Sequence, residues 1–162
     1  MAQRQIREVG DDLLRKKSRE VEVVDDKIRE LLDDMYETMK AANDGIGIAA
    51  PQVGVLKRLV VIDLGEEGDG KIYKLVNPVI TKSKGEQVCR EGCLSVPGVL
   101  GDVVRPKEVT VEALDRSGKK IVIKAKDLLA QAICHELDHL DGITFVDQMI
   151  PGTLERVETE KK

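Results

Sequence analysis

The stretch Asp127-Leu128-Leu129-Ala130-Gln131-Ala132-Ile133-Cys134-His135-Glu136-Leu137-Asp138-His139-Leu140-Asp141-Gly142 decides how the chain is read. Asp127 is of a type that caps helix starts, Gly142 of a type that follows helix ends, and neither Pro nor Gly lies between them. The spacing predicts a helix. On it His135 and His139 lie one turn apart on one face, where two imidazoles can grip a single metal ion. Glu136 stands about 100° round the same helix, beside such an ion rather than on it. A general base placed there can take a proton from a water held by the ion. Leu129, Ile133, Leu137 and Leu140 repeat at helical spacing and are expected in the core. Leu128, Gln131 and Ala132 share the histidines' side and are expected to wall the approach to the ion. A helix buried on both sides is central to its domain.

The bland alternative is a core or surface helix that carries two histidines by chance. Against it, the chain has only 2 His, and both fall in His-Glu-x-x-His. A glutamate in so apolar a helix also costs desolvation unless it works.

A length of 162 residues suits one domain, with a short charged tail over about 151–162. The net charge of −4 and the scarcity of aromatics (Tyr36, Tyr73, Phe145) argue against a nucleic-acid binder, which needs a basic patch and stacking surfaces. No apolar run reaches membrane-spanning length, and the N-terminus lacks a signal-peptide core, so a cytoplasmic protein is expected. The 3 Cys (Cys89, Cys93, Cys134) are then thiols or metal ligands rather than disulfides.

Residues 1–24 read as an irregular arm with one turn of helix. Ile28, Leu31, Leu32, Met35 and Met39 form the stripe of an amphipathic helix, capped by Asp25 or Asp26 and ended by Asn43-Asp44-Gly45. Gly45-Ile46-Gly47-Ile48-Ala49-Ala50-Pro51-Gln52-Val53-Gly54 is dense in small residues, which let backbone come close to a ligand or to another element; the bland alternative is a tight loop between helix and sheet. Its pattern is not Gly-x-Gly-x-x-Gly, and Pro51 stands where a phosphate-cradling helix should run. Gln52 is a polar side chain in that company, suited to donate to a developing oxyanion. Strands are expected at 58–64, 71–76, 79–83, 108–115 and 120–125, the last two joined as a hairpin by Arg116-Ser117-Gly118-Lys119.

A catalytic metal usually takes three protein ligands and leaves one position open. With no third histidine, the remaining ligand is a carboxylate or a thiolate. Cys134 points about 100° away from His135 and reads as buried filler. Cys89 has no partner in sight. Cys93, in Glu91-Gly92-Cys93-Leu94-Ser95-Val96-Pro97-Gly98, sits on a rigid loop or strand end and is a plausible ligand, with a carboxylate still open.

Three stretches, GIGIAAPQVG (45–54), EGCLSVPG (91–98) and HELDH within QAICHELDHLDG (131–142), together resemble the signature motifs of bacterial peptide deformylase, in order and spacing. The resemblance runs over nearly the whole chain. It implies an α+β fold, with antiparallel β-sheets around a central metal-binding helix and a second helix from the N-terminal region. It implies Cys93, His135 and His139 as metal ligands, with Glu136 as general base and then acid. Gln52 and the backbone N–H of Leu94 become the oxyanion hole, and Gly47 brings its backbone near the formyl group. The implied reaction removes the N-formyl group from the formyl-methionine of nascent polypeptides and releases formate. The implied ion is Fe(II), with zinc or nickel able to substitute.

Leu128, Gln131, Ala132, Ile46 and Glu91 are expected to wall a methionine slot, with the rest of the substrate extended along a strand edge. A monomer is expected. Two departures stand out. Where some members carry a substrate-contacting Arg, this chain has Val99-Leu100-Gly101, and the nearby Arg105 is read as structural. The tail is short where some members have a basic helix for ribosome docking, which puts that docking in doubt. Two rival readings are kept: a metallopeptidase with Glu158 as third ligand, and a non-catalytic Cys-His-His metal or redox sensor.

Overall fold

The computed structural model describes residues 2–42 and 46–157. The N-terminal arm lies over the body, as expected, with a 3-10 turn at Asp12–Arg15 that buries Leu14. The arm is pinned to helix α1 (Asp26–Ala41) through Asp34, which accepts from the backbone N–H of Ala2 at 2.7 Å and from Arg4 Nη2 at 2.8 Å. Asp25 caps α1 by accepting from Ile28 N–H at 3.0 Å, and the stripe Ile28, Leu31, Leu32, Met35 and Met39 is buried. The expected stop at Asn43-Asp44-Gly45 lies outside the described residues.

The strands are β1 (Gly47–Ala49), β2 (Leu59–Asp63), β3 (Ile72–Lys84), β4 (Gln87–Cys93), β5 (Val96–Arg105), β6 (Glu108–Leu114) and β7 (Lys120–Lys126). Helix α2 (Asp127–Leu140), the short α3 (Phe145–Gln148) and β8 (Glu155–Arg156) complete the chain. One antiparallel sheet has the order β1-β2-β3-β6-β7, and a second has β4-β5-β8. α2 covers one face of the larger sheet through Ile133, Leu137 and Leu140 against Val60, Ile62 and Val111. α1 covers part of the other through Leu32, Met35 and Met39 with Ile48, Leu59 and Val61. β2 is therefore buried on both faces, which explains its unbroken apolar run.

Two expectations are corrected, and one hairpin is added to them. The strands expected at 71–76 and 79–83 are one, because Asn77 absorbs the interruption in a left-handed conformation (φ 52°) and the register slips between Val76 and Val79. The Asn77 side chain is held by Val21, accepting from its N–H and donating to its carbonyl, both at 2.8 Å. The β4–β5 hairpin was unread because glycines and charges dilute its alternation. Asp127 is not the cap of α2 but its first residue, at φ 54°. β7 runs straight into α2 with no intervening loop, and the turn must be made at that residue.

The far end of α2 follows the sequence reading. Gly142 (φ 77°) closes a Schellman arrangement, its N–H donating to His139 O at 3.2 Å and that of Ile143 to Asp138 O at 3.0 Å. β8 draws two residues of the tail into the second sheet, where Arg90 pairs with Glu155.

Candidate active site

Helical spacing brings the His135 and His139 rings to 5.3 Å between centroids. β4 ends at Cys93, which pairs with Val96 across the Leu94-Ser95 turn, and this turn carries the sulfur to α2. Cys93 Sγ lies 3.2 Å from His139 Nε2. One ligand atom from each of Cys93, His135 and His139 falls within 4.8 Å of the others. With bonds of about 2.0–2.3 Å, tetrahedral ligands of one ion sit roughly 3.3–3.8 Å apart, so the three residues fit a divalent transition ion. The thiolate and two imidazoles suit iron, zinc or nickel better than magnesium or calcium.

His135 Nδ1 is 2.8 Å from Glu91 Oε1; a carboxylate accepts only, so Nδ1 carries the proton and Nε2 is left to bind an ion. Burial works against a charged His135, but Glu136, Cys93 and Glu91 outweigh it and hold its pKa above the ordinary imidazole value. Loading an ion must therefore displace a proton. Burial and the neighbouring His135 push His139 down to about 3, so that ring is neutral.

Glu91 is the site residue that the structure moves. Expected as a wall of the methionine slot, it lies instead beneath His135, with its side chain 2% exposed. Arg105 holds it with Nε to Oε2 at 2.9 Å and Nη2 to Oε1 at 2.7 Å. Burial alone would raise its pKa, but the bonds from Arg105 and His135 dominate and hold it at about 2. No local pattern signals this. Glu91 meets Arg105 only through hairpin pairing, and His135 only through the docking of α2.

Glu136 is buried beside the cluster, and its Oε1 has no hydrogen-bond partner among the described residues. Burial pushes its carboxyl up to about 7, suited to trade a proton near neutrality. Gly47 stands against it: a Cβ there would lie 2.6 Å from Glu136 Oε2. Gln52 is buried, its Oε1 accepting from Ala49 N–H at 2.9 Å. Its Nε2 donates to Ser95 Oγ at 3.1 Å and points at Cys93 Sγ, 3.6 Å away. Ser95, fully buried in this network, was missed by sequence reading.

Leu94 is half-buried in the turn after Cys93. Ile46 is exposed beside β1, Leu128 and Gln131 are half-buried, and Ala132 is buried. Leu128 and Ala132 also pack into the core beneath the larger sheet. Cys134 is the buried filler expected, its thiol pushed by burial to about 11. Glu158 lies outside the described residues.

The sequence matches the family model described as Polypeptide deformylase over residues 3–154. The chain belongs to the polypeptide deformylase family. It is 61% identical over 150 residues to the peptide deformylase of Acetivibrio thermocellus, covering 93% of this chain and 85% of that one. It is 59% identical to peptide deformylase 2 of Clostridium acetobutylicum, covering 91% of this chain and 95% of that one. Among solved structures, the peptide deformylase of Ehrlichia chaffeensis in complex with actinonin superposes with a TM-score of 0.89 at 43% identity, over 93% of this chain and 91% of that one. That of Legionella pneumophila gives 0.87 at 46%, over 93% and 88%. The α+β fold of helices and antiparallel sheets described above is shared with these peptide deformylase structures, and the chain belongs with the enzymes of that family. Among the described residues no helix is long and apolar enough to cross a membrane.

Proposed function

We propose that the chain removes the N-formyl group from the N-terminal formyl-methionine of nascent polypeptides, releasing formate. One observation carries the reading: Cys93, His135 and His139 converge while Glu136, buried and short of a partner, stands beside them. Cys93 Sγ and the two imidazoles would hold one divalent ion, Fe(II) in the cell, with zinc or nickel as substitutes. Bound there, such an ion would supply Lewis-acid polarisation of the formyl carbonyl and a pKa of about 7 for the attacking water.

Glu136 accepts the proton from that water and returns it to the leaving amine as the C–N bond breaks. The Gln52 amide and the Leu94 backbone N–H donate to the oxygen that gains charge. Gly47, lacking a side chain, lets the backbone of β1 lie against the formyl group. Ile46, Leu128, Gln131 and Ala132 line the side on which an unbranched thioether side chain enters. The enzyme acts as a cytoplasmic monomer on chains leaving the ribosome.

The test is formate release from formyl-Met-Ala by protein loaded without oxygen with Fe(II), Zn(II) or Ni(II), paired with elemental analysis. Release that tracks metal content supports the reading. An ion held by Cys93 with no turnover under any loading overturns it in favour of a sensor.

A further inference from the structure

Arg105 closes β5 with a side chain only 3% exposed, and its guanidinium joins four elements. Its Nε and Nη2 grip Glu91 on β4. Its Nη1 donates to Asp138 on α2 at 2.6 Å and reaches Gln148 on α3 at 3.4 Å. Glu91 in turn accepts from His135 Nδ1 at 2.8 Å. On its other flank the His135 ring lies over Phe145 of α3, with centroids 6.1 Å apart and planes inclined by 25°. Burying such a cluster is weak evidence of stabilisation, because apolar groups of the same volume often serve as well. Its placement needs another account. The guanidinium meets α2 at two points, through Glu91 at His135 and directly at Asp138, and these two points bracket Glu136.

We propose that Arg105 is a positioning residue of the metal centre: it holds Glu91 against His135 and α2 at Asp138, and so governs how tightly the site retains its ion. This rests on the Cys93–His135–His139 site put forward above, though not on the identity of the substrate. The geometry demands arginine. A lysine keeps the charge but cannot make two parallel bonds to one carboxylate while donating to a second. Without the fork, Glu91 is free to turn, the His135 ring loses its fixed acceptor, and Nε2 is no longer aimed at one point.

Release of Zn(II) into excess chelator and the visible absorption bands of the Co(II) form test this in the full chain. Arg105→Lys and Glu91→Asp are expected to release zinc on the order of 10–100-fold faster than wild type and to displace the cobalt bands. Circular dichroism establishes that each variant is folded. The paired change Glu91→Gln with Arg105→Met removes both charges together and keeps the test open should the lysine variant not fold. A neutral amide holds the ring more weakly, so faster release is expected there too. Wild-type release rates with unmoved cobalt bands in folded variants overturn the proposal and leave Arg105 as a tie between strands. If these readouts behave as expected but the wild type releases no formate, the deformylation reading falls and this one stands.

Discussion

Replacing Gly47 by Ala probes the site through one added methyl. The Cβ would stand 2.6 Å from Glu136 Oε2 and 3.1 Å from both Cδ and Cγ, where ordinary contact begins at 3.4 Å. Gly47 is paired with Ile62 on β2, so the strand cannot back away without losing its register. Glu136 is 4% exposed and walled in, so the carboxylate must give by roughly 1 Å. A misplacement of about 1 Å at a reacting group costs on the order of 10²-fold in rate, or about 3 kcal/mol in barrier. Steady-state kinetics on formyl-Met-Ala, normalised to bound metal, should show kcat down by that factor and KM little changed. Glu136→Asp, which shortens the offending side chain, should be strongly non-additive with Gly47→Ala because the two meet at one contact. A Gly47→Ala enzyme with wild-type kcat and full metal would show that the carboxylate does not work from the position described.

Cys93→Ala should abolish metal retention while Glu158→Ala leaves it intact; elemental analysis of the two reads the result, and the reverse pattern would favour a metallopeptidase. Glu136→Gln should keep the ion and lose on the order of 10²–10⁴ in turnover. The same variant reports on pH. Burial lifts Glu136 from 4.5 to about 7, so the stability it lends the metal-free protein is full below pH 4.5 and lost as pH rises through about 7. By linkage that is about 3 kcal/mol. Urea unfolding of the metal-free wild type should lose that much relative to Glu136→Gln between pH 4 and 8, and parallel profiles would contradict it. Gly142→Ala should destabilise by more than about 1 kcal/mol, since φ is 77° and the new methyl meets the Arg15 carbonyl; thermal unfolding measures it.

Both long helices were legible because their signals are local. Asp25 caps α1, Gly142 stops α2, and the apolar period runs unbroken between start and stop. Residues that punctuate were less informative. Asn77-Pro78 reads as a strand end, yet Val21, far away in sequence, supplies the hydrogen bonds that let β3 continue. The β4–β5 hairpin hid for a related reason, since nothing in the sequence pairs Glu91 with Arg105 until the two strands meet. At the site, His135, Glu136 and His139 show in helical spacing, whereas Cys93 is only a plausible partner until the resemblance of EGCLSVPG to the family's motif singles it out. The support beneath His135 does not show, because its parts come from three elements and meet only in the folded chain. Glu91, expected among the walls of a methionine slot, is for that reason found bonded to His135 and Arg105 instead.

The absence of any loop between β7 and α2 fixes a phase. Lys126 is still paired in the sheet with Glu108, and Asp127 already belongs to the helix. Adding or deleting one residue at that junction would spin the helix by about 100° and carry both imidazoles away from the sulfur. Length variation tolerable elsewhere, as in the turn at residues 65–70, is forbidden here. The junction works as a keyway, transmitting the orientation of a rigid sheet to the two imidazoles that lie beside the Cys93 sulfur.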